Sequence, residues 1–522
     1  MASRSSFGFG MEFTLGKRAA PQQRPDPESP FCVAILGDFT ARASRGLLET
    51  GAKLAGRKVM KVDIDNLEQT MAKVGVQLNL PVQGAQASVE TLSFAELADF
   101  HPDRLVDRIA PLKKLLQLRK RLGDPATFAD AAAEVQSLAG QAPAEPEPPA
   151  EAPAAGGQQP GAGGSDFERL MGGAVAAPAG SRRPAAGIVD IGKLIRDLVA
   201  PYVVPDADPR QAGFLAYVDE ALSVGLRSVL HHGDFQAIEA LWRGLHFLVS
   251  RVETECEPPL KICFIDVTKA ELAADLGSSN DPEGTALHKL LVERTVHTPG
   301  ADRWTLLVGC YTFDQTLEDV ALLARLGTIA SLAGAPLLSG AGASLIGCES
   351  LAKTPRVEDW TQVPPAEARK AWAALRTAPQ AAYLGLALPR FLLRMPYGKE
   401  TDPIEAFAFE ELPSDDAHEA YLWGSPALAA AYLLAGAFSA SGWDLSDALS
   451  TEVDSLPMHV RQRDGERYVQ PCAEVQLTDR AVEAIIDRGL MPLVSYQGRD
   501  VARMPRFQSI SDPPGPLAGR WG

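Results

Sequence analysis

A chain of 522 residues is long enough for two or three domains, each with a substantial core. Its 46% hydrophobic and 22% charged content is ordinary for a soluble globular protein. The formal net charge of −16 argues against nucleic-acid binding, because phosphate neutralisation needs clustered Lys and Arg. No apolar h-region follows Met1–Gly10, and the longest apolar stretch, Pro426–Phe438, is too short and too Ala/Gly-rich to span a bilayer. A cytoplasmic protein without membrane insertion is expected. The six cysteines are scattered with no C-x-x-C pair, mostly in apolar runs, and read as buried reduced thiols.

The N-terminus has clean period-two alternation: Phe7, Phe9, Met11, Phe13 and Leu15 share one face of an expected half-buried strand. Arg18–Pro30, rich in Pro, Gln and Arg, separates it from the first body. A strand isolated in this way either folds back onto its own domain or augments a neighbouring subunit's sheet. Phe31–Leu36 reads as a fully buried strand ending at Gly37-Asp38, and Arg57–Ile64 as a second strand. Asn66–Val74 is a short helix, followed by strands at Val76–Val82 and Gln86–Leu92. His101-Pro102 opens a helix to about Leu122, whose apolar stripe underlies Arg104, Arg108, Lys113, Lys114, Arg119, Lys120 and Arg121. That cluster could be an anion site, but a solvated face near a helix C-terminus explains it more simply.

From Ala139 to Gly164, 20 of 26 residues are Ala, Pro or Gly, and none is Val, Ile, Leu, Met or aromatic. Such a stretch has no apolar surface to offset the entropy of ordering, so it predicts an extended, mobile tether reaching roughly 80 Å at about 3.1 Å per residue. Two folded bodies, each with its own core, are expected on either side. Ser165–Val175 is a small amphipathic island with Ser165 and Glu168 placed as a capping box. Helices follow at about 188–199, 208–230 and 234–251. Strands at 260–267, 304–309 and 335–339 then alternate with helices at 285–294 and 318–333, which argues an α/β layer architecture. Later elements are a strand at 383–386, a helix at 426–439, a strand at 473–477, a helix at 479–488 and a strand at 491–496.

Candidate chemistry is sparse. The glycine-rich Gly340–Gly347 loop lacks the spacing and the Lys-Ser/Thr ending of a phosphate cradle, and reads as a plain turn. His231, His232, Asp234 and His246 are the main histidine concentration, without helical metal-ligand spacing; a helix N-terminus capped by Asp234 explains them. No nucleophile elbow or electropositive cysteine occurs, so no catalytic residue, metal or cofactor is expected. Leu388–Pro403 instead packs cations and prolines along an apolar loop. Its Arg390, Arg394 and Lys399 face an acidic run of Glu405, Glu410, Glu411, Asp415 and Asp416, and both internal salt bridging and inter-subunit pairing are open to them.

The first body resembles the small subunit of the bacterial type VI secretion contractile sheath. The resemblance is carried by Val33–Thr40, by Val59–Lys73 with Leu78–Pro81, and by Phe94–Val106 running into Leu112–Arg119. The second body resembles the sheath large subunit through Leu230–His246, Leu307–Phe313, Tyr383–Arg390, Met395–Lys399, Tyr421–Gly424, Leu477–Arg480 and Leu490–Leu493. In the family the two subunits are usually separate chains that form an obligate heterodimer, polymerise around an inner tube and contract. None of this implies a metal, cofactor or active site.

The implied organisation is a linker strand and spacer (1–30), a small-subunit-like domain (31–138), a linker with a short helix (139–187) and a large-subunit-like domain (188–522). The overall class is α/β, two mixed bodies joined by a linker. By the resemblance, Phe7–Leu15 mates with a neighbouring protomer. Phe167, Leu170 and Met171 lie on a helix like the one that an AAA+ unfoldase recognises when recycling contracted sheath. Other sheath subunits, the inner tube and the baseplate are the further implied partners. The family's large subunit continues past the equivalent of Ser509 into a region that supplies inter-protomer strands, whereas this sequence stops soon after Asp512-Pro-Pro-Gly-Pro516. Two roles are therefore implied: a sheath component, or a non-polymerising accessory factor such as a terminator, baseplate adaptor or assembly regulator.

Overall fold

The computed structural model describes residues 4–7, 11–14, 25–82, 88–140, 210–413, 418–445, 449–463 and 466–521. The tether beyond Gly140, the island with Phe167, Leu170 and Met171, and the helix expected at 188–199 lie outside them.

The first half begins with β1 (Arg4–Phe7) and β2 (Met11–Thr14), paired antiparallel with Phe7 opposite Met11. One continuous strand was expected there. The structure instead pairs Arg4–Phe7 antiparallel with Met11–Thr14, so the apolar alternation is divided between two strands that satisfy each other's backbone groups. After β3 (Phe31–Gly37) come α1 (Ala52–Ala55), β4 (Met60–Lys61), α2 (Leu67–Val74) and the hairpin β5 (Val76–Val82) and β6 (Ser88–Phe94). Three helices close this half: α3 (Pro102–Arg108), α4 (Ala110–Gly123) and α5 (Phe128–Gly140). The single helix expected over 101–122 is broken at Ile109, whose backbone is extended. Pro111 lacks an N–H and would clash with the preceding turn, so the helix restarts with proline in its first turn.

The second half opens on α6 (Arg210–Leu230) and α7 (Gly233–Val249). It continues with β7 (Leu260–Asp266), α8 (Lys269–Gly277), the one-turn α9 (Ala286–His288), β8 (Leu306–Phe313), α10 (Leu317–Ala333) and β9 (Leu337–Ala341). Next are α11 (Ala366–Thr377), β10 (Leu384–Leu388), β11 (Phe391–Leu392), β12 (Trp423–Gly424) and α12 (Pro426–Ser441). Short strands β13 (Glu452–Val453), β14 (His459–Arg463) and β15 (Glu466–Gln470) precede α13 (Asp479–Asp487), and β16 (Met491–Pro492), β17 (Val494–Ser495) and β18 (Ala502–Arg503) end the fold. The strand expected at 473–477 is reduced to one bridge, Phe391 with Ala473. The strand expected at 491–496 divides between two sheets.

Seven strands form one sheet in the order β16-β10-β9-β8-β3-β7-β4, parallel except for β4. The α/β class and the mixed halves are as expected, but the halves do not keep separate cores. β3 comes from the first half and lies between β7 and β8 of the second, pairing over its whole length with β7 (Phe31 with Leu260 through Gly37 with Asp266). Every residue of β3 is buried, which is why it reads as an unbroken apolar run rather than an alternating one. Phe31, Val33 and Ile35 join the core beneath α6, α7 and α12, while Cys32, Ala34 and Leu36 join the core beneath α8, α10 and α11. At the end of β3, a Cβ on Gly37 would stand 2.9 Å from both Leu241 methyl carbons, so glycine lets α7 press directly on the strand.

Candidate functional site

A dense polar site among the described residues lies at the seam where the first half enters the second. It lies at the C-terminal ends of β3 and β7, where open α/β sheets place their working residues. Glu271 is at its centre and fully buried. The sequence Thr268-Lys-Ala-Glu271 forms a capping box at the start of α8: Thr268 Oγ1 accepts from Glu271 N–H, and Glu271 Oε2 accepts from Thr268 N–H, both at 3.0 Å. From the first half, the Arg57 guanidinium donates to both Glu271 oxygens (2.5 and 2.7 Å) and to the Asp266 carbonyl (2.6 Å). Arg42 Nε and the Glu49 backbone N–H also donate to Glu271 Oε1, at 3.2 and 2.9 Å. Burial pushes the Glu271 carboxyl up, but the Arg57 hydrogen bonds and the two backbone donors prevail and hold it down at about 2.

Beside it, Asp266 accepts from Thr40 N–H (3.1 Å) and Thr40 Oγ1 (2.7 Å), and burial raises its pKa. On the opposite face, Trp242 Nε1 donates to the Phe39 carbonyl (3.0 Å), while Phe39 packs on both Trp242 and Phe264. Further out, Arg119 of α4 pairs with Asp219 of α6, and the Asp103 carboxylate accepts from the Glu405 and Ala406 N–H groups. The seam is therefore sheet, core and ion pairs together. Acidification tests the charged part. A folded pKa near 2 lies below the usual glutamate value, so Glu271 contributes stability that is full above about pH 4.5 and fades as pH falls toward 2. Thermal melts from pH 6 to 2.5 should show Glu271→Gln destabilised at pH 6 yet losing less than wild type on acidification, with the gap closing by up to about 3 kcal/mol.

The expected charged residues have mostly internal partners. Arg394 is buried, bonds Glu239 of α7 (2.8 Å) and Glu411 (2.7 Å), and lies 4.2 Å from the Tyr397 ring centroid. Arg243 joins from α7 to Glu239 (2.7 Å) and to the Tyr397 hydroxyl (3.1 Å). Arg390 pairs with Glu474 (2.6 Å) and Glu419 (3.3 Å), and His418 Nε2 lies 3.2 Å from Glu474. Burial pushes Glu474 up; His418 and Arg390 outweigh it and hold the carboxyl at about 2. Lys399 is exposed, and its backbone N–H donates to Glu410 (3.0 Å). The acidic run supplied Glu411 as foreseen, but Glu239 and Glu474 lie 155 and 84 residues from their arginines. Asp415 and Asp416 lie outside the described residues, as do Phe9 and Leu15; Phe7 is in β1, with Met11 and Phe13 in β2.

His418, Glu419 and Glu474 bring ligand atoms within 4.8 Å of one another, the one such trio among the described residues. Arg390 already engages both carboxylates, so the group reads as an ion-pair network rather than an open donor set. His232, not Asp234, caps α7: its Nδ1 accepts from the Asp234 N–H at 3.3 Å. The Gly340–Gly347 loop turns into a short 3-10 helix, with Gly347 at φ +79°. On the basic helix face Arg104 and Arg108 bind Asp99, and Arg121 binds Glu134.

Fold and seam define a two-part α/β protein whose halves complete one sheet. The chain belongs to the EvpB/VC_A0108 tail sheath N-terminal domain family (VipB), whose model matches residues 213–511. Residues 18–142 match the family described as type VI secretion system, VipA, VC_A0107 or Hcp2, so a segment similar to the sheath small subunit is fused to one similar to the N-terminal part of the large subunit. The type VI secretion system sheath protein TssC1 of Pseudomonas aeruginosa is 33% identical over 316 residues, which is 59% of this chain and 63% of that protein. The sheath protein TssB1 of the same organism is 27% identical over 105 residues, 19% of this chain and 59% of that protein. The chain thus spans about three fifths of the length of each curated relative it matches. No helix among the described residues is long and apolar enough to cross a membrane.

Proposed function

We propose that this chain is a non-catalytic, structural component of a type VI secretion contractile sheath, delivering the small and large subunits as one molecule for assembly around an inner tube. The supporting observation is the position of β3: the small-subunit-like half supplies an internal strand of the large-subunit-like sheet, so the two halves share one sheet within a single chain. Its partners are other sheath subunits in the cytoplasm, and through them the tube and baseplate. The segment Phe7–Leu15 meets a neighbouring protomer, and Phe167, Leu170 and Met171 present the recycling AAA+ unfoldase with its helix.

Electron microscopy of the purified chain, alone and mixed with full-length sheath subunits, tests the reading. Incorporation along regular tubes is the expected result. Soluble particles that only cap or shorten tubes would replace it with the accessory-factor reading, and failure to associate at all would overturn both.

A further inference from the structure

The basic face of α4 is only partly accounted for inside the fold. The helix carries five cations and no acid. Arg119 pairs with Asp219 and Arg121 with Glu134, whereas Lys113, Lys114 and Lys120 are exposed and have no ion pair among the described residues. Lys113, Gln117 and Lys120 follow at i, i+4 and i+7, with Lys114 beside them, so the lysines share one side of the helix over about 10 Å. Lys120 suits the negative end of the helix dipole. Lys113 and Lys114 do not, because they sit just after Pro111 and Leu112 near the start of the helix, where a positive charge is unfavourable. Acids on the adjoining segments leave the lysines unpaired: Asp124 accepts from the Ala126 N–H at 2.9 Å, and no ion pair joins the lysines to the exposed Asp107 or Asp130.

α13 carries the opposite pattern. Asp479, Glu483 and Asp487 recur every four residues along one line about 12 Å long, all exposed and without an ion pair among the described residues. It alone of the described helices has three exposed acids so placed. Its one internal cation, Arg480, is directed to Glu358 at 3.4 Å. Arg488, just past its end, donates to the Ala484 carbonyl and lies over the Trp360 ring. Asp479 in the first turn suits the dipole, but Asp487, the last helical residue, opposes it. The two stripes lie on opposite sides of the sheet within one molecule. α4 packs through Leu112, Leu115 and Leu118 on the core at one face of the sheet, and α13 through Ala481 and Ile485 on the core at the other.

We infer that the basic stripe of α4 in one molecule docks against the acidic stripe of α13 in a second copy of this chain. The inference deepens the reading of the chain as a sheath component, and rests on it for the expectation that copies associate. Three observations select a second copy as the occupant. The stripes are opposite in sign, with three unpaired side chains in each. Their lengths agree to within about 2 Å at the helical rise. Each also holds charge that its own helix dipole disfavours, so stability of the helix does not explain it. Because the two surfaces differ and face apart, the contact is heterologous: a docked pair still presents one free stripe of each sign and propagates head to tail rather than closing as a two-fold dimer. Complementary charge rows fix register and partner choice, and they weaken as salt screens them.

The test follows self-association of the full chain by sedimentation velocity at low ionic strength. One triple variant carries Lys113→Glu, Lys114→Glu and Lys120→Glu; the other carries Asp479→Lys, Glu483→Lys and Asp487→Lys. Each alone should associate with itself at least about tenfold more weakly than wild type. An equimolar mixture of the two, and a chain with all six substitutions, should recover wild-type association, because both restore opposite charge at every contact. Circular dichroism melts check the fold, and rescue on mixing is open only to folded chains. Wild-type association by either triple variant alone, no rescue in the mixture and the six-substitution chain, or a wild-type chain that stays monomeric would each overturn the inference. Electron microscopy with full-length sheath subunits keeps the two readings apart. Tubes that take up the wild-type chain, without any effect of the stripes on self-association, sink the contact alone. Stripe-dependent self-association without entry into tubes sinks the sheath reading alone.

Discussion

Expressed alone, residues 210–522 should fail to fold, and co-expression with residues 25–140 should restore a soluble complex. The large-subunit half without β3 has a slot in the middle of its sheet. β7 and β8 would lose their hydrogen-bonding neighbour along up to seven residues, and both cores would lose a wall. Seven fully buried side-chain and backbone positions go with the strand, among them Phe31, Val33, Ile35 and Leu36. At about 1.5–3 kcal/mol per large buried side chain, those four alone account for roughly 6–12 kcal/mol, comparable to the whole stability of a typical domain. Gel filtration and circular dichroism of the two co-expressed pieces, without the tether, would check it. A monomeric, cooperatively melting 210–522 fragment would show that the sheet closes without β3.

Arg394→Met should cost about 3–5 kcal/mol in urea unfolding, more than any charge change on the helix surfaces. Arg394 bridges α7 and the loop after β11, and both of its partners, Glu239 and Glu411, are fully buried. Removing it leaves two carboxylates facing each other with one remaining arginine, Arg243, on Glu239 alone. Adding Glu411→Gln to Arg394→Met should recover part of the loss, since it discharges the carboxylate left without a cation. If the double variant is no more stable than the single one, the cost comes from packing around Tyr397 rather than from stranded charge.

The apolar run Phe31–Leu36 could be read from sequence as a buried strand because a strand covered on both faces has no alternation to hide. What covered it could not be read. Its neighbours begin at Leu260 and Leu306, and nothing local to Phe31 or Leu260 announces the pairing, so the tether suggested two separate cores. The same limit applied to the charges. Glu411 was visible as a partner for Arg394 because it lies 17 residues away, whereas Glu239 reaches it across 155 residues and a different helix. One omission was avoidable: α8 begins with Thr268-x-x-Glu271, a capping-box signature that marks a helix start and names the central carboxylate of the seam. The missed break at Ile109 was likewise signalled by Pro111.

The internal place of β3 also sets a schedule for biosynthesis. Phe31–Gly37 leaves the ribosome more than two hundred residues before Leu260, the first residue able to pair with it in the sheet. At about 5–20 residues per second that interval is roughly 10–45 s, far longer than collapse of a small domain. For that time a seven-residue apolar strand has both edges open. In a protein whose two halves are made on different ribosomes the wait depends on diffusion and concentration; here it is a fixed number of elongation steps.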